Sequence, residues 1–324
     1  MRLLIDTDPG IDDALALLLA LGAPGASVDA ITTVAGNVSV DQATSNVFRI
    51  LDVVRPAATP RVARGAQAPL KRALVTAGHV HGEDGLGNLD RFVEPDGRPR
   101  YPALSHTVEM SDGADLILEM ADRLGKALIV VALGPLTNLA TACQRDARRL
   151  SRAGRIVVMG GAVTVSGNVT PAAEFNFYVD PEAAAVVFDA GLPLELVPLD
   201  VTRQVVLGQA ELVDRLHRRP SRIARFVSDF TLHGFAFGSD RGDGGIVLHD
   251  PLAVGVALDP SLVRFEELHV EIEGEGRITR GLSLADRRPI PLHKKRHPNC
   301  RVAMSVDVPR FLDLFLDRLC PASA

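Results

Sequence analysis

The chain of 324 residues has only three cysteines, Cys143, Cys300 and Cys320, an odd and widely spaced set. It shows neither the CxxC spacing of a thiolate metal site nor the cysteine density of a secreted disulfide scaffold, so reduced thiols in a cytoplasm are expected. Excess basic charge is also missing: 35 Lys and Arg stand against 40 Asp and Glu, a formal net charge of −5, with the two signs interspersed. That leaves no footprint for nucleic-acid phosphates and points to small-molecule partners. The longest apolar stretches, residues 14–21 and 127–133, fall well below the roughly 20 residues of a membrane-spanning helix. Asp6 and Asp8 interrupt the apolar start before a signal-peptide core can form, so neither export nor membrane insertion is expected. Internal repeats, low-complexity linkers and composition breaks are lacking too, and a single domain over residues 1–324 is the expectation.

The sequence does hold ample core material, with 47% hydrophobic and 23% charged residues, which excludes a disordered chain. Short continuous apolar runs alternate with longer helical patterns: Leu3-Leu4-Ile5, residues 12–21, 28–34 and 40–54, then 128–133 with a helical 136–143, and 156–159 with 181–190 and 194–197. This is βαβ patterning, and strands apolar throughout imply a mostly parallel sheet covered by helices on both faces. Residues 268–272 and 278–284, separated by Gly274-Glu275-Gly276, suggest a hairpin-like excursion, and a last helix is expected over 309–319. Residues 67–101, rich in Gly, Pro and His, read as a long loop of the kind that builds ligand crevices beyond strand ends.

The segment Asp6-Thr7-Asp8-Pro9-Gly10-Ile11-Asp12-Asp13 places four carboxylates within eight residues, at the junction of the first strand and first helix. Helix capping explains Asp12 and Asp13, since acids in a first turn gain roughly 0.3–1 kcal/mol from the dipole. It does not explain Asp6 and Asp8, which follow a fully apolar strand and would repel their neighbours unless a cation or proton neutralised them. Carboxylates with no nearby Cys or paired His suit Ca²⁺ or Mg²⁺ better than Zn²⁺.

Extended to Ala14, this segment closely resembles the N-terminal signature of the inosine-uridine-preferring nucleoside hydrolases. Further blocks resemble the family in the same order: Val34-Ala35-Gly36-Asn37, His81-Gly82-Glu83-Asp84-Gly85-Leu86, Gly134-Pro135-Leu136-Thr137-Asn138, Met159-Gly160-Gly161, residues 167–183 and His249-Asp250-Pro251-Leu252-Ala253, with a weaker likeness at Thr279-Arg280-Gly281. Each block alone is weak, whereas the ordered set, from about Leu3 to Val256, is specific.

The resemblance implies an open, Rossmann-like, mostly parallel sheet flanked by helices, with the active site at the carboxyl ends of the strands. It implies an N-glycosidase that hydrolyses ribonucleosides in salvage or catabolism, a cytoplasmic location, and a homodimer or homotetramer. Ca²⁺ would be held by the carboxylates of Asp8, Asp13 and Asp250 and by the carbonyl of Leu133, which makes no demand on the side chain there. Asp8 would be the base that activates water. Asp12 and Asn176 would bind the 2′- and 3′-hydroxyls and Asn168 and Glu174 the 5′ side, with Asn37 and Met159 also in the sugar pocket. His249 would stand near the leaving base as an imidazole titrating near neutrality, with His81 as a second candidate.

Plainer readings exist for several of these residues: turn formation for Asn168 and Asn176, an ordinary loop position for His79, and a solvated loop for His293-Lys294-Lys295-Arg296-His297. A helix over residues 223–237, followed by a Gly-rich stretch at 238–245, carries His233, Phe235 and Phe237, each of which could stack on a base or pack in the core. Two other functions compete. A phosphohydrolase of the haloacid-dehalogenase type would use Asp6 and Asp8, but it calls for Thr or Val where this chain has Gly10. A nucleoside-binding protein without turnover would need neither Asp8 nor His249.

Overall fold

The computed structural model describes residues 1–102, 107–289 and 296–319; Cys320 and His293, Lys294 and Lys295 of the basic run lie outside them. The first strand, β1 (Arg2–Thr7), buries every residue after Arg2. Its side chains alternate, Leu3 and Ile5 entering one core cluster and Leu4 the other. Such a strand is stable only between two helical layers.

From β1 the chain continues through α1 (Ile11–Leu21), β2 (Ser27–Thr33), α2 (Val40–Val54) and β3 (Arg61–Arg64). The short α3 (Gly78–His81) lies in the expected loop region, and α4 (Gly113–Leu124) leads to β4 (Leu128–Ala132), α5 (Thr137–Leu150) and β5 (Arg155–Met159). Next come α6 (Phe175–Val179), α7 (Pro181–Asp189), β6 (Leu194–Val197), α8 (Leu199–Thr202), β7 (Val206–Leu207), α9 (Gln209–Arg218) and α10 (Arg222–Arg241). The rest is β8 (Ile246–Val247), α11 (His249–Leu258), β9 (Val263–Leu268), β10 (Val270–Ile272), β11 (Ser283–Ala285), β12 (Cys300–Val306) and α12 (Val308–Leu319). Local chemistry sets several starts. Ser39 Oγ accepts the Gln42 amide ahead of α2, and Asp180 accepts the Ala183 amide at 3.0 Å while Pro181 opens α7.

Among the described residues, eight strands form one sheet in the order β3-β2-β1-β4-β5-β6-β12-β9. Every pairing is parallel except that of β12 with β9. Helices α1, α2, α10, α11 and α12 cover one face, and α4, α5 and α7 the other. Chain direction across the sheet switches between β1 and β4, where α/β folds open a crevice beyond the strand ends.

Two expectations change. The helix expected over 223–237 is α10, which runs on through Gly238 to Arg241; a Cβ at 238 would overlap the Gly245 carbonyl, so the glycine permits close approach and does not break the helix. The hairpin is real, but its second strand is Ser283–Ala285, while Ile278 is 72% exposed and outside any strand. Among the elements not anticipated are strands β3, β9 and β12 and helices α4 and α9. Cys143 and Cys300 are buried free thiols. Arg296 pairs with Glu271 at 2.5 Å. No helix among the described residues is long and apolar enough to cross a membrane.

Candidate active site

At the switch between β1 and β4 lies a cleft of about 570 Å³, inside the range of about 300–1,000 Å³ usual for small-molecule sites. It gathers residues from widely separated parts of the chain. Asp12 comes from the first turn of α1, Asn37 from beyond β2, Leu133 and Met159 from the ends of β4 and β5, Asn168, Glu174 and Asn176 from around α6, and His249 and Asp250 from the start of α11. His81 closes α3 at the same cleft.

Asp8 and Asp13 are fully buried and are not among the lining side chains. Asp13 Oδ1 accepts the Thr7 hydroxyl at 2.5 Å, and its Oδ2 accepts the Gly10 amide at 3.0 Å and Asn37 Nδ2 at 3.1 Å. It therefore caps α1, as the plainer reading held. Asp8 Oδ2 accepts the Asn37 amide at 2.6 Å, whereas Oδ1 is buried with no partner among the described residues. A Cβ on Gly36 or Gly134 would overlap this carboxylate, so both glycines make its berth.

Oxygens of Asp12, Asp13 and Asp250 lie within 4.8 Å of one another. Burial first, and mutual repulsion second, drive the Asp8 and Asp250 carboxyls well above the usual range. Burial together with Asp13 pushes Asp12 up to about 7. Acids this crowded keep their protons or hold a cation. An all-oxygen donor set with one buried oxygen unspent fits a hard cation. The tightest trio contains Asp12 where the resemblance has Asp8, and Asp8 lies close enough to raise Asp250.

Asp6 is also fully buried and off the cleft lining; its Oδ1 accepts from Thr32 at 2.6 Å and from Asn138 at 2.7 Å, while its Oδ2, like Asp8 Oδ1, has no partner among the described residues. These bonds tie Asp6 to β2 and α5, and nothing in this geometry favours it as an aspartyl nucleophile.

Around the acids, Asn176 Nδ2 donates to the carbonyls of Leu133 at 2.7 Å and Met159 at 3.3 Å, tying two strand ends together from within α6. Glu174 caps α6, accepting amides of Asn176, Gly161 and Phe177, and burial pushes it up to about 7. Asn168 Oδ1 accepts the Phe175 amide at 2.9 Å, the local turn role allowed for it.

His249 Nδ1 lies 2.8 Å from Thr202 Oγ1. Burial pushes this imidazole down to about 3, with help from Arg203, which favours the neutral ring. Arg203 and Arg241 both line the cleft and were missed in the sequence. Arg241 was legible in principle, because Gly234, Phe237, Gly238 and Arg241 follow helical spacing and all face the cleft. Phe237 belongs to the site and Phe235 to the core. His79 lines the cleft too, edge-on to Phe237 with ring centroids 6.3 Å apart, while His233 is not among the lining residues and buries an Nε2 that has no partner among the described residues.

A mostly parallel sheet with acids at its switch point, beneath a small cleft ringed by amide, carboxylate and imidazole groups, has the form of an α/β enzyme that binds a small polar molecule. Comparison with known proteins gives the family. The sequence profile of the inosine-uridine preferring nucleoside hydrolases matches residues 3–313, and the chain belongs to this family. It is 35% identical over 322 residues to the inosine-uridine preferring nucleoside hydrolase of Crithidia fasciculata, covering 98% of this chain and 97% of that one. It is 36% identical over 321 residues to the pyrimidine-specific ribonucleoside hydrolase RihA of Salmonella paratyphi B, covering 98% of each. A solved structure of the purine-preferring ribonucleoside hydrolase from Gardnerella vaginalis matches with a TM-score of 0.87 and 33% identity, over 99% of this chain and 98% of that one. The chain is therefore a ribonucleoside hydrolase.

Proposed function

We propose that this hydrolase is Ca²⁺-dependent, with Asp8 as the base that activates water and His249, aided by His81, on the side of the departing base. The observation that carries the reading is Asp8 Oδ1: a buried carboxylate oxygen without a partner among the described residues, in a carboxylate that feels the charges of Asp13 and Asp12, whose oxygens converge with those of Asp250. Asp8, Asp13, Asp250 and the Leu133 carbonyl would hold the ion, with Asp12 close by. When bound there, Ca²⁺ would neutralise the crowded acids and make nearby water more acidic.

The other steps belong to the side chains. Asp12 and Asn176 hold the 2′- and 3′-hydroxyls, Asn168 and Glu174 the 5′ side, and Asn37 and Met159 the remaining sugar contacts. Asp8 takes a proton from water at its free Oδ1 as the water oxygen bonds to the anomeric carbon and the C–N bond breaks, its electron pair leaving with the base. Positive charge that builds on the ribose is stabilised by the surrounding carboxylates. A neutral His249 with its hydrogen on Nε2, the tautomer in which Nδ1 accepts from the Thr202 hydroxyl, would assist the base as a hydrogen-bond donor.

Ribose release from a panel of purine and pyrimidine ribonucleosides tests this, with and without a calcium chelator. Wild-type protein is expected to release ribose, Asp8→Ala to lose about 10²–10⁴-fold in kcat, the usual worth of a general base, and chelation to abolish turnover until Ca²⁺ is restored. Folded, Ca²⁺-loaded protein that cleaves no nucleoside would overturn the reading; full activity after exhaustive chelation would remove the metal from it.

A further inference from the structure

The His81 imidazole is seated against the N-terminus of α1. Its Nδ1 lies 3.1 Å from the backbone nitrogen of Ile11, with that N–H pointing at the ring. A backbone N–H can only donate, so Nδ1 must be the acceptor, and a neutral imidazole that accepts at Nδ1 carries its hydrogen on Nε2. Asp12 Oδ1, the one carboxylate oxygen within 4.0 Å of that nitrogen among the described residues, is beyond hydrogen-bond reach. The Ile11 amide is one of those a helix start leaves unpaired, and the positive end of the helix opposes a charge on the ring.

Gly10 makes the seat. A Cβ there would lie 2.7 Å from Nδ1, 2.9 Å from Cε1 and 2.9 Å from Cγ of His81, inside any tolerable contact. Backbone conformation does not require glycine, since Gly10 has φ −93°, open to any residue. From the other side the His81 main chain is held at both ends: its amide donates to the Ala77 carbonyl at 3.0 Å, and its carbonyl accepts the Gly87 amide at 2.8 Å. Nε2 has no partner among the described residues, is not sealed from solvent, and belongs to a side chain that lines the cleft.

We propose that Gly10 is a positioning residue for the reaction: its bare Cα and the Ile11 N–H behind it lock His81 as a neutral ring that offers a fixed Nε2–H donor to a lone pair on the base of the nucleoside. The two histidines of the cleft then differ in kind. Thr202 can donate to or accept from His249, whereas the Ile11 amide allows His81 one state only. The surrounding charges agree: burial holds the His81 imidazole down at about 4, with His233 and His79 acting the same way against the opposing pull of Asp13.

This inference rests on the nucleoside hydrolase reading and is tested separately from it. Gly10→Ala, His81→Ala and the double variant are compared for ribose release and thermal unfolding. Gly10→Ala is expected to unfold like the wild type and to lose roughly 10²-fold in kcat, the scale of a reacting contact displaced by about 1 Å. In the His81→Ala background the same change should cost nothing further, because the ring it displaces is gone. Losses that multiply, or a Gly10→Ala enzyme with wild-type kcat, would overturn the proposal. Nitrogen NMR of histidine-labelled wild-type protein, with the His81 signals identified by their absence in His81→Ala, reads the lock directly. A ring with bare Nδ1 and hydrogen on Nε2 from pH 6 to 8 supports it, and hydrogen on Nδ1 refutes it. If the wild type cleaves no nucleoside, the hydrolase reading fails on that count, while the spectra still decide the state of the ring.

Discussion

Two carboxyls at the end of β1, Asp6 and Asp8, are equally buried and differently partnered. Burial pushes Asp6 from an ordinary 3.8 up to about 7, although Thr32 and Asn138 both donate to it. The folded chain therefore keeps a proton on Asp6 that the unfolded chain releases above about pH 4. Stability from this group is fully present below 3.8 and is lost as pH rises to about 7, by an amount on the order of a few kcal/mol. Asp6→Asn preserves an oxygen for both donors and cannot ionise, so its urea stability relative to wild type should improve steadily between pH 4.5 and 7.5 in chelator-treated protein. A constant difference would mean that Asp6 stays charged. At this scale the sequence was legible in part. Four acids in eight residues announced a charged site, but not which acid faces the cleft, because the partners of Asp6 lie 26 and 132 residues away.

Among the elements, the β10–β11 hairpin acts on the cleft without touching it. Ser283 Oγ accepts the Ala162 amide at 2.8 Å and donates to the Ala162 carbonyl at 2.9 Å. Arg280 donates to the Tyr178 carbonyl at 2.6 Å, and Arg72 to that of Gly274. Ser283 thus pins the turn whose Gly161 amide donates to Glu174. Ser283→Ala would strand both backbone groups, at a cost of about 1–3 kcal/mol, and should raise KM for ribonucleosides with less effect on kcat. Unchanged stability and KM would show that the hairpin merely rests on the turn. The hairpin's existence was readable from Gly274-Glu275-Gly276, while its second strand was placed too early. Residues 278–284 alternate as a strand would, yet Gly281, at φ +77°, is drawn against the backbone of Phe177 and Tyr178. Packing on α6 overrode the local pattern.

Across the whole molecule, the parallel core of β1, β2, β4, β5 and β6 was foreseeable because these strands are mostly apolar runs that alternate with helical patterns, whereas the edge strand Arg61-Val62-Ala63-Arg64 carries no such run. The far edge was not. Strand β12 pairs in parallel with β6 and antiparallel with β9, and nothing local in residues 300–306 states that a strand so late in the chain slots between two earlier ones. Pairing between elements distant in sequence leaves no periodic trace.

That insertion sets a condition on biosynthesis. A ribosome delivers the chain from its N-terminus at about 5–20 residues per second, and every residue assigned to the cleft has emerged by Asp250. Until Cys300–Val306 follows, β6 exposes a bare flank and β9 lacks its only partner in the sheet among the described residues. The nascent protein is then a nearly complete enzyme with an adhesive open edge. A chain stopped before Cys300 keeps all of the catalytic chemistry and is expected to partition into the insoluble fraction on expression; a soluble, cooperatively melting product would show that the edge is tolerated. The last strand delivered is in this sense the seal on the molecule, and the interval before it arrives is when a chaperone would matter most.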